Sequence, residues 1–336
     1  MFSMKIVRAS LAALLMAAAP WATAQAEKVT LRLDWVPWGT HAPFHLAQSK
    51  GWFKDAGLDV EIEDGNGSVT TVQLVGNAKF DVGHASLAPM IIARDKGLAI
   101  KGIAVFVRKN DIALLVPRGG SIKSPADLAG KKLIYTAGSL EAPFLDAFLA
   151  AGKLKREQVE LIAVDAAAKV PTYLANRGDA VFSSAPFVLP IVAGPRASEG
   201  VMFGDYGLSF PGFGLVASEE KIKARGPVLR RFASVVAGAW TYIVNGKQDE
   251  AVAAIIAARP QAKLDPKVLR GQIDGAAALF NTPAAANLPL GFMADADMAT
   301  GIKTLTDGKL ISGGKSADFY TNDLLDAALI KKISGR

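Results

Sequence analysis

Apolar and polar residues alternate along Val29–Leu33 and again along LDVEIED, Leu58–Asp64, the period of strands with one buried face. FDVGHAS (Phe80–Ser86) and IKGIAVFV (Ile100–Val107) are shorter apolar runs that read as further strands. Between them the spacing lengthens to that of helices. One runs from about Ala42 to Lys50, with Pro43 in its first turn and Gly51 at its C-terminal cap. Two more start at Ser68 and Ser86, which are placed to cap them, and reach about Val75 and Lys96. Strands alternating with helices of about ten residues predict a mainly parallel sheet with helices on both faces.

The pattern then repeats in a second unit. DIALLVP (Asp111–Pro117) is a long apolar strand, and Ser124-Pro125 opens a short helix. Lys132–Tyr135 is a strand, Thr136–Ser139 a turn, and Leu140–Ala151 a helix closed by Gly152. Val159–Val164 and Gly178–Ser184 are strands flanking a helix near Lys169–Asn176. FPGFGLVAS, Phe210–Ser218, reads as a return strand. Helices follow over Pro227–Asn245 and Gln248–Ala258, then from Met298 toward Thr306 and near Asp318–Lys331. Two α/β lobes are therefore expected, joined by a chain that crosses between them near Asp111–Pro117 and Phe210–Ser218. The first lobe takes residues 27–113 and 215–336, and the second takes 114–214. A cleft is expected at the C-terminal ends of the parallel strands.

Residues 1–26 stand apart. Lys5 and Arg8 precede the apolar run ASLAALLMAAA, which is too short to span a bilayer. Pro20 and small residues around Ala22–Ala26 follow, so a cleavable signal peptide is expected, with a mature start near Gln25 or Glu27. The chain has no cysteine, which leaves no lipid-accepting thiol, no disulfide and no thiol nucleophile. The expected location is a periplasm. The net charge of +7 falls to about +5 once Lys5 and Arg8 leave, and the basic residues are scattered. Nucleic-acid binding would call for a basic stripe interleaved with aromatics, and none is present. Gly-x-Ser-x-Gly, HExxH and a phosphate-binding Gly-rich loop are absent too, so no enzyme and no cofactor are expected.

Trp35, Trp38 and His41 sit in a loop between a strand and a helix, where core building does not need them. The indoles can stack on a planar ligand, and a neutral imidazole both donates and accepts; packing at the hinge is the competing reading. Gly83, His84 and Ser86 occupy the next strand-to-helix junction. Thr136, Gly138 and Ser139 form the matching loop of the second lobe, and Glu141 beside them weighs against an anionic ligand unless it points outward. Ser183, Ser184 and Tyr206 complete the candidate ligand-binding set, with Phe187 nearby. Three histidines, two of them at i and i+4 (His41, His45), also fit a metal pattern, but no acidic cluster accompanies them and no metal site is expected. Arg32, Arg108 and Arg177 are the arginines that an anion pocket would recruit.

DWVPWGTHAPFHLAQSKGWFKDAGLDVEI, Asp34–Ile62, resembles the opening of solute-binding proteins of ABC importers for nitrate, taurine, alkanesulfonates and thiamine pyrimidine precursors. The likeness is close in Ala47–Lys54 and Gly57–Glu61. It continues through KFDVGHAS, SIKSPADLAGKKL and NRGDAVFSS and fades after about residue 250. Asp34-Trp35 with a His in the loop is most similar to the pyrimidine-precursor binders, although Thr40-His41 replaces their Asn-His. The resemblance implies a type II periplasmic binding fold, a monomer, a small-molecule ligand, a membrane permease as partner and a separate ATPase. Cytosolic relatives that synthesise the pyrimidine carry a Cys-rich motif, which this chain lacks.

Overall fold

The computed structural model describes residues 25–336, so the expected signal peptide lies almost wholly outside the described residues. Ten strands form two sheets. The first holds β1 (Glu27–Arg32), β2 (Leu58–Glu63), β3 (Val82–Ser86), β4 (Ile100–Val105) and β10 (Phe213–Ser218), in the order β2-β1-β3-β10-β4. The second holds β5 (Ile112–Pro117), β6 (Lys132–Tyr135), β7 (Glu160–Ala163), β8 (Ala180–Ser184) and β9 (Ser198–Met202), in the order β7-β6-β8-β5-β9. In each sheet four strands run one way and one runs against them: β10 pairs antiparallel with β3 and β4, and β5 with β8 and β9. The two antiparallel strands are those that carry the chain across. Every residue of β10 is buried, as are the first five of β5, which explains their unbroken apolar sequences.

Most elements lie where the periodicity puts them. The Ser124 cap forms as expected, with Asp127 closing a capping box around Pro125. Ser68 and Ser86 do not cap their helices. Gly67 occupies the cap position before Ser68–Gly76, and the Ser68 hydroxyl instead accepts the Ser86 N–H at 3.1 Å, tying the start of that helix to the end of β3. The helix expected from Pro227 begins at Glu219 and runs to Val244, kinked at Arg225 ahead of the proline. The segment expected as one helix near Asp318–Lys331 is two, Ser316–Phe319 and Ala327–Ser334, the second capped by the Asp326 carboxylate. Among the strands and α-helices, β9 and the helices Trp52–Asp55, Ala185–Val192 and Pro266–Ala277 have no counterpart in the sequence reading. No described helix is long and apolar enough to cross a membrane.

Candidate functional site

Strand ends supply the site. The C-terminal ends of β1, β3 and β8 point toward one seam between the sheets, where open α/β sheets bind ligands. There a narrow hollow is lined by Asp34, Trp35 and Trp38 past β1, and by Leu140, Lys169, Ser183, Ser184, Phe187 and Phe213. Four rings frame it edge to face. Phe187 lies 6.3 Å from Trp35 and 5.5 Å from Trp38, and Phe213 lies 5.5 Å from Trp38. Trp35 and Trp38 are buried, and Phe187 of the second sheet's helix Ala185–Val192 packs against both.

Asp34 is the hub of the first-lobe wall. Its Oδ1 accepts from His41 Nε2 and from His84 Nδ1, both at 2.8 Å. Burial alone would raise this carboxyl's pKa, but the two imidazole hydrogen bonds outweigh burial and hold it well below the ordinary carboxylate range. An ionised carboxylate only accepts, so both imidazoles present N–H to it. Burial pushes the His41 pKa down despite Asp34, which makes His41 a neutral ring with Nδ1 left as an unpartnered acceptor. Asp34 Oδ2 takes part in no hydrogen bond among the described residues, and Asp34 lines the hollow. His45 behaves differently: it is buried on the helix Ala42–Ser49 with neither nitrogen partnered, and burial, aided by Arg259, lowers its pKa to about 3.

Asp34, His41 and His84 also bring three ligating atoms within 4.8 Å of one another. Two ligands about 2.1 Å from a tetrahedral ion stand roughly 3.4 Å apart, so the 2.8 Å separations here are hydrogen-bond distances.

The second-lobe wall holds a buried ion pair. Lys169 Nζ lies 2.6 Å from Glu141 Oε1 and 3.4 Å from the Ser139 hydroxyl, with both charged side chains fully enclosed. The ammonium also stands 4.8 Å from the centroid of the Trp35 ring across the seam. Burial pulls the Lys169 pKa down, and Glu141 opposes that pull. Glu141 thus points inward, and its Oε2 has no partner. Behind Ser184 lies Asp111, buried with both oxygens unpartnered; burial pushes its carboxyl up to about 7, against the Ser184 hydroxyl and with the help of Asp34 and Glu141. Around the hollow the unpartnered buried atoms include the indole N–H of Trp35 and of Trp38 and the Ser184 hydroxyl. Buried polar groups are ordinarily paired.

The structure brings Trp35, Trp38, Ser183 and Ser184 together on the hollow, with His41 and His84 behind Asp34. Ser139 supports Lys169 and donates to the Thr136 carbonyl at 2.6 Å. Thr136 and Gly138 face a separate open groove with Asn66, Thr70 and Asp165, and the Gly138 carbonyl accepts the Val69 N–H across the seam. Gly83 is packed under Val75, Thr71 and Val216, and the Ser86 hydroxyl is buried without a partner. Tyr206 packs on Phe148, away from the hollow. Among the described residues no arginine lines the hollow: Arg32 pairs with Glu63, Arg108 holds the carbonyls of Pro289 and Phe292, and Arg177 is exposed. Asp34, Lys169, Leu140 and Phe213 were not singled out from sequence. The available signal was Asp34 itself, an acid directly after a buried strand.

A family model described as NMT1/THI5 like matches residues 38–251. Over 110 residues, 32% of each chain, the sequence is 31% identical to 4-amino-5-hydroxymethyl-2-methylpyrimidine phosphate synthase THI11 of Saccharomyces cerevisiae. It is 31% identical over 170 residues to the formylaminopyrimidine-binding protein of Halalkalibacterium halodurans, covering 49% of this chain and 51% of that one. The chain thus spans between a third and half the length of these curated relatives. Its fold is that of periplasmic binding proteins: the alkanesulfonate-binding protein of Xanthomonas axonopodis pv. citri superposes with a TM-score of 0.65 at 15% identity, over 89% of this chain and 98% of that one.

Proposed function

The chain belongs to the NMT1/THI5-like family, and from that premise we propose that it is the exported ligand-capturing component of an ABC importer for a small pyrimidine-type heterocycle. The lobes close over the ring, and the closed form docks on a membrane permease while a separate ATPase drives transport. One observation carries the choice of ligand: an ionised carboxylate, Asp34, stands at the edge of an aromatic slot that holds no free cation among the described residues. Among the described residues the one cation on the wall, Lys169, is already neutralised by Glu141 at 2.6 Å.

Such a wall favours a ligand that brings N–H donors to Asp34, acceptors to the two indole N–H groups, and a flat face to the rings. An aminopyrimidine has all three. A nitrate, sulfonate or phosphate would meet carboxylates where it needs a guanidinium. The likeness to a formylaminopyrimidine-binding protein supports the same class. Likeness to the yeast synthase supports pyrimidine chemistry, and the lack of cysteine in this chain favours binding over synthesis.

A melting-temperature screen tests the proposal. At a hundredfold excess over its Kd a ligand adds about 2.7 kcal/mol of stability, or several degrees. 4-Amino-5-hydroxymethyl-2-methylpyrimidine is expected to give that rise, and nitrate, taurine and alkanesulfonates none. A rise with an anion and none with the pyrimidine would overturn the reading.

A further inference from the structure

Helix Pro266–Ala277 lies beyond the matched family segment, yet it touches both walls of the hollow. Its Gln272 is buried and uses both ends of its amide. The side-chain oxygen accepts the Gly39 N–H at 2.9 Å, and the side-chain nitrogen donates to the Phe187 carbonyl at 2.9 Å. Gly39 directly follows Trp38, and the Trp38 and Phe187 rings meet at 5.5 Å over the hollow. The amide therefore joins the main chains of the two residues whose rings form one side of the slot, one from each lobe.

The surroundings are shaped for this contact. A Cβ at Gly39 would stand 2.6 Å from Gln272 Cβ and 2.8 Å from the Ile273 nitrogen, so only glycine lets the turn lie against the helix. On the other side, Gly271 and Gly275 lie against Pro190 and Pro186, where added Cβ atoms would meet ring carbons at 3.0 and 3.4 Å. We propose that Gln272 is a positioning residue that registers the Trp38 wall against the Phe187 wall and so sets how long an enclosed ligand stays. This rests on the reading that the hollow is the ligand site.

The amide is specific to the task. Only a side chain that accepts at one atom and donates at another satisfies both main-chain groups at once. Methionine, of similar length, does neither, and it leaves a buried N–H and a buried C=O unpaired. Glutamate accepts from Gly39 but, while ionised, cannot donate to Phe187; once protonated it has the donor and the acceptor of the amide.

The test measures dissociation of 4-amino-5-hydroxymethyl-2-methylpyrimidine by stopped-flow tryptophan fluorescence in wild type, Gln272→Met and Gln272→Glu. Gln272→Met should speed dissociation about tenfold or more while association changes by less than about threefold. The ratio of the Gln272→Glu rate to the wild-type rate should be large at pH 8 and fall toward one near pH 5, a rescue that loss of packing alone would not give. A Gln272→Met rate equal to wild type, or a ratio flat with pH, would overturn the proposal. Failure of wild type to bind the pyrimidine would instead sink the ligand reading. The interlobe role is then read without ligand, from spin labels at the exposed sites Lys54→Cys and Glu157→Cys in this cysteine-free chain. Gln272→Met should lengthen or broaden their distance distribution, and an unchanged distribution would contradict the role.

Discussion

Glu141→Gln is expected to lower the unfolding free energy by about 3–5 kcal/mol at pH 7, the cost of removing one partner from a buried ion pair. The partners are fully enclosed and 2.6 Å apart, so solvent does not screen the loss. The variant leaves the Lys169 ammonium without a counter-charge, and burial then depresses its pKa further. A lysine whose folded pKa is depressed binds fewer protons folded than unfolded, so the deficit shrinks as pH rises through that lowered pKa toward the unfolded value near 10. Replacing both members, Glu141→Leu with Lys169→Met, should recover most of the stability, because a well-packed apolar pair matches a buried ion pair. Urea midpoints at pH 7 and pH 9.5 check all three statements. A Glu141→Gln midpoint equal to wild type at both pH values would mean that the pair does not hold the second-lobe wall.

Asp111→Asn is expected to do the reverse. Burial pushes this carboxyl up to about 7 in the folded chain, whereas an unfolded aspartate titrates near 3.9. Between these values the folded state holds a proton that the unfolded state has released, so stability falls as pH rises. Above about pH 7 the accumulated penalty is roughly 4 kcal/mol, three pKa units at 1.36 kcal/mol each. Asparagine resembles the protonated acid in shape and in its donor and does not titrate. Wild type and variant should therefore differ by only about 1 kcal/mol near pH 4.5, and the variant should be the more stable by up to about 4 kcal/mol at pH 8.5. Chemical denaturation at the two pH values measures it. Equal stability at pH 8.5 would show that Asp111 titrates as an ordinary surface acid.

The lobes were legible because burial dictates pattern. β1 and β2 alternate, since one face of each meets helices, and β5 and β10 are unbroken apolar runs, since both faces are covered. β9, SEGVM, carries neither pattern because it is an edge strand paired only to β5. Helix Ala185–Val192, APFVLPIV, is apolar all round and holds Pro190, so it has no polar stripe to mark its period. In the site, Trp35, Trp38, Ser183 and Ser184 could be found because large aromatics and hydroxyls at strand ends are out of place in a core. Lys169 could not. What places it in the wall is a carboxylate 28 residues earlier, and periodicity does not encode that pairing. Asp34 was visible only as a member of a motif. Its meaning comes from His41 and His84, which the fold brings to the same oxygen.

A crystal structure grown with 4-amino-5-hydroxymethyl-2-methylpyrimidine tests the central claim most directly. The ring is expected between Trp35, Trp38 and Phe187, with its amino group about 3 Å from Asp34 Oδ2. A ring bound instead in the open groove beside Asn66 and Asp165, with Trp38 and Phe187 still closed on each other, would contradict it.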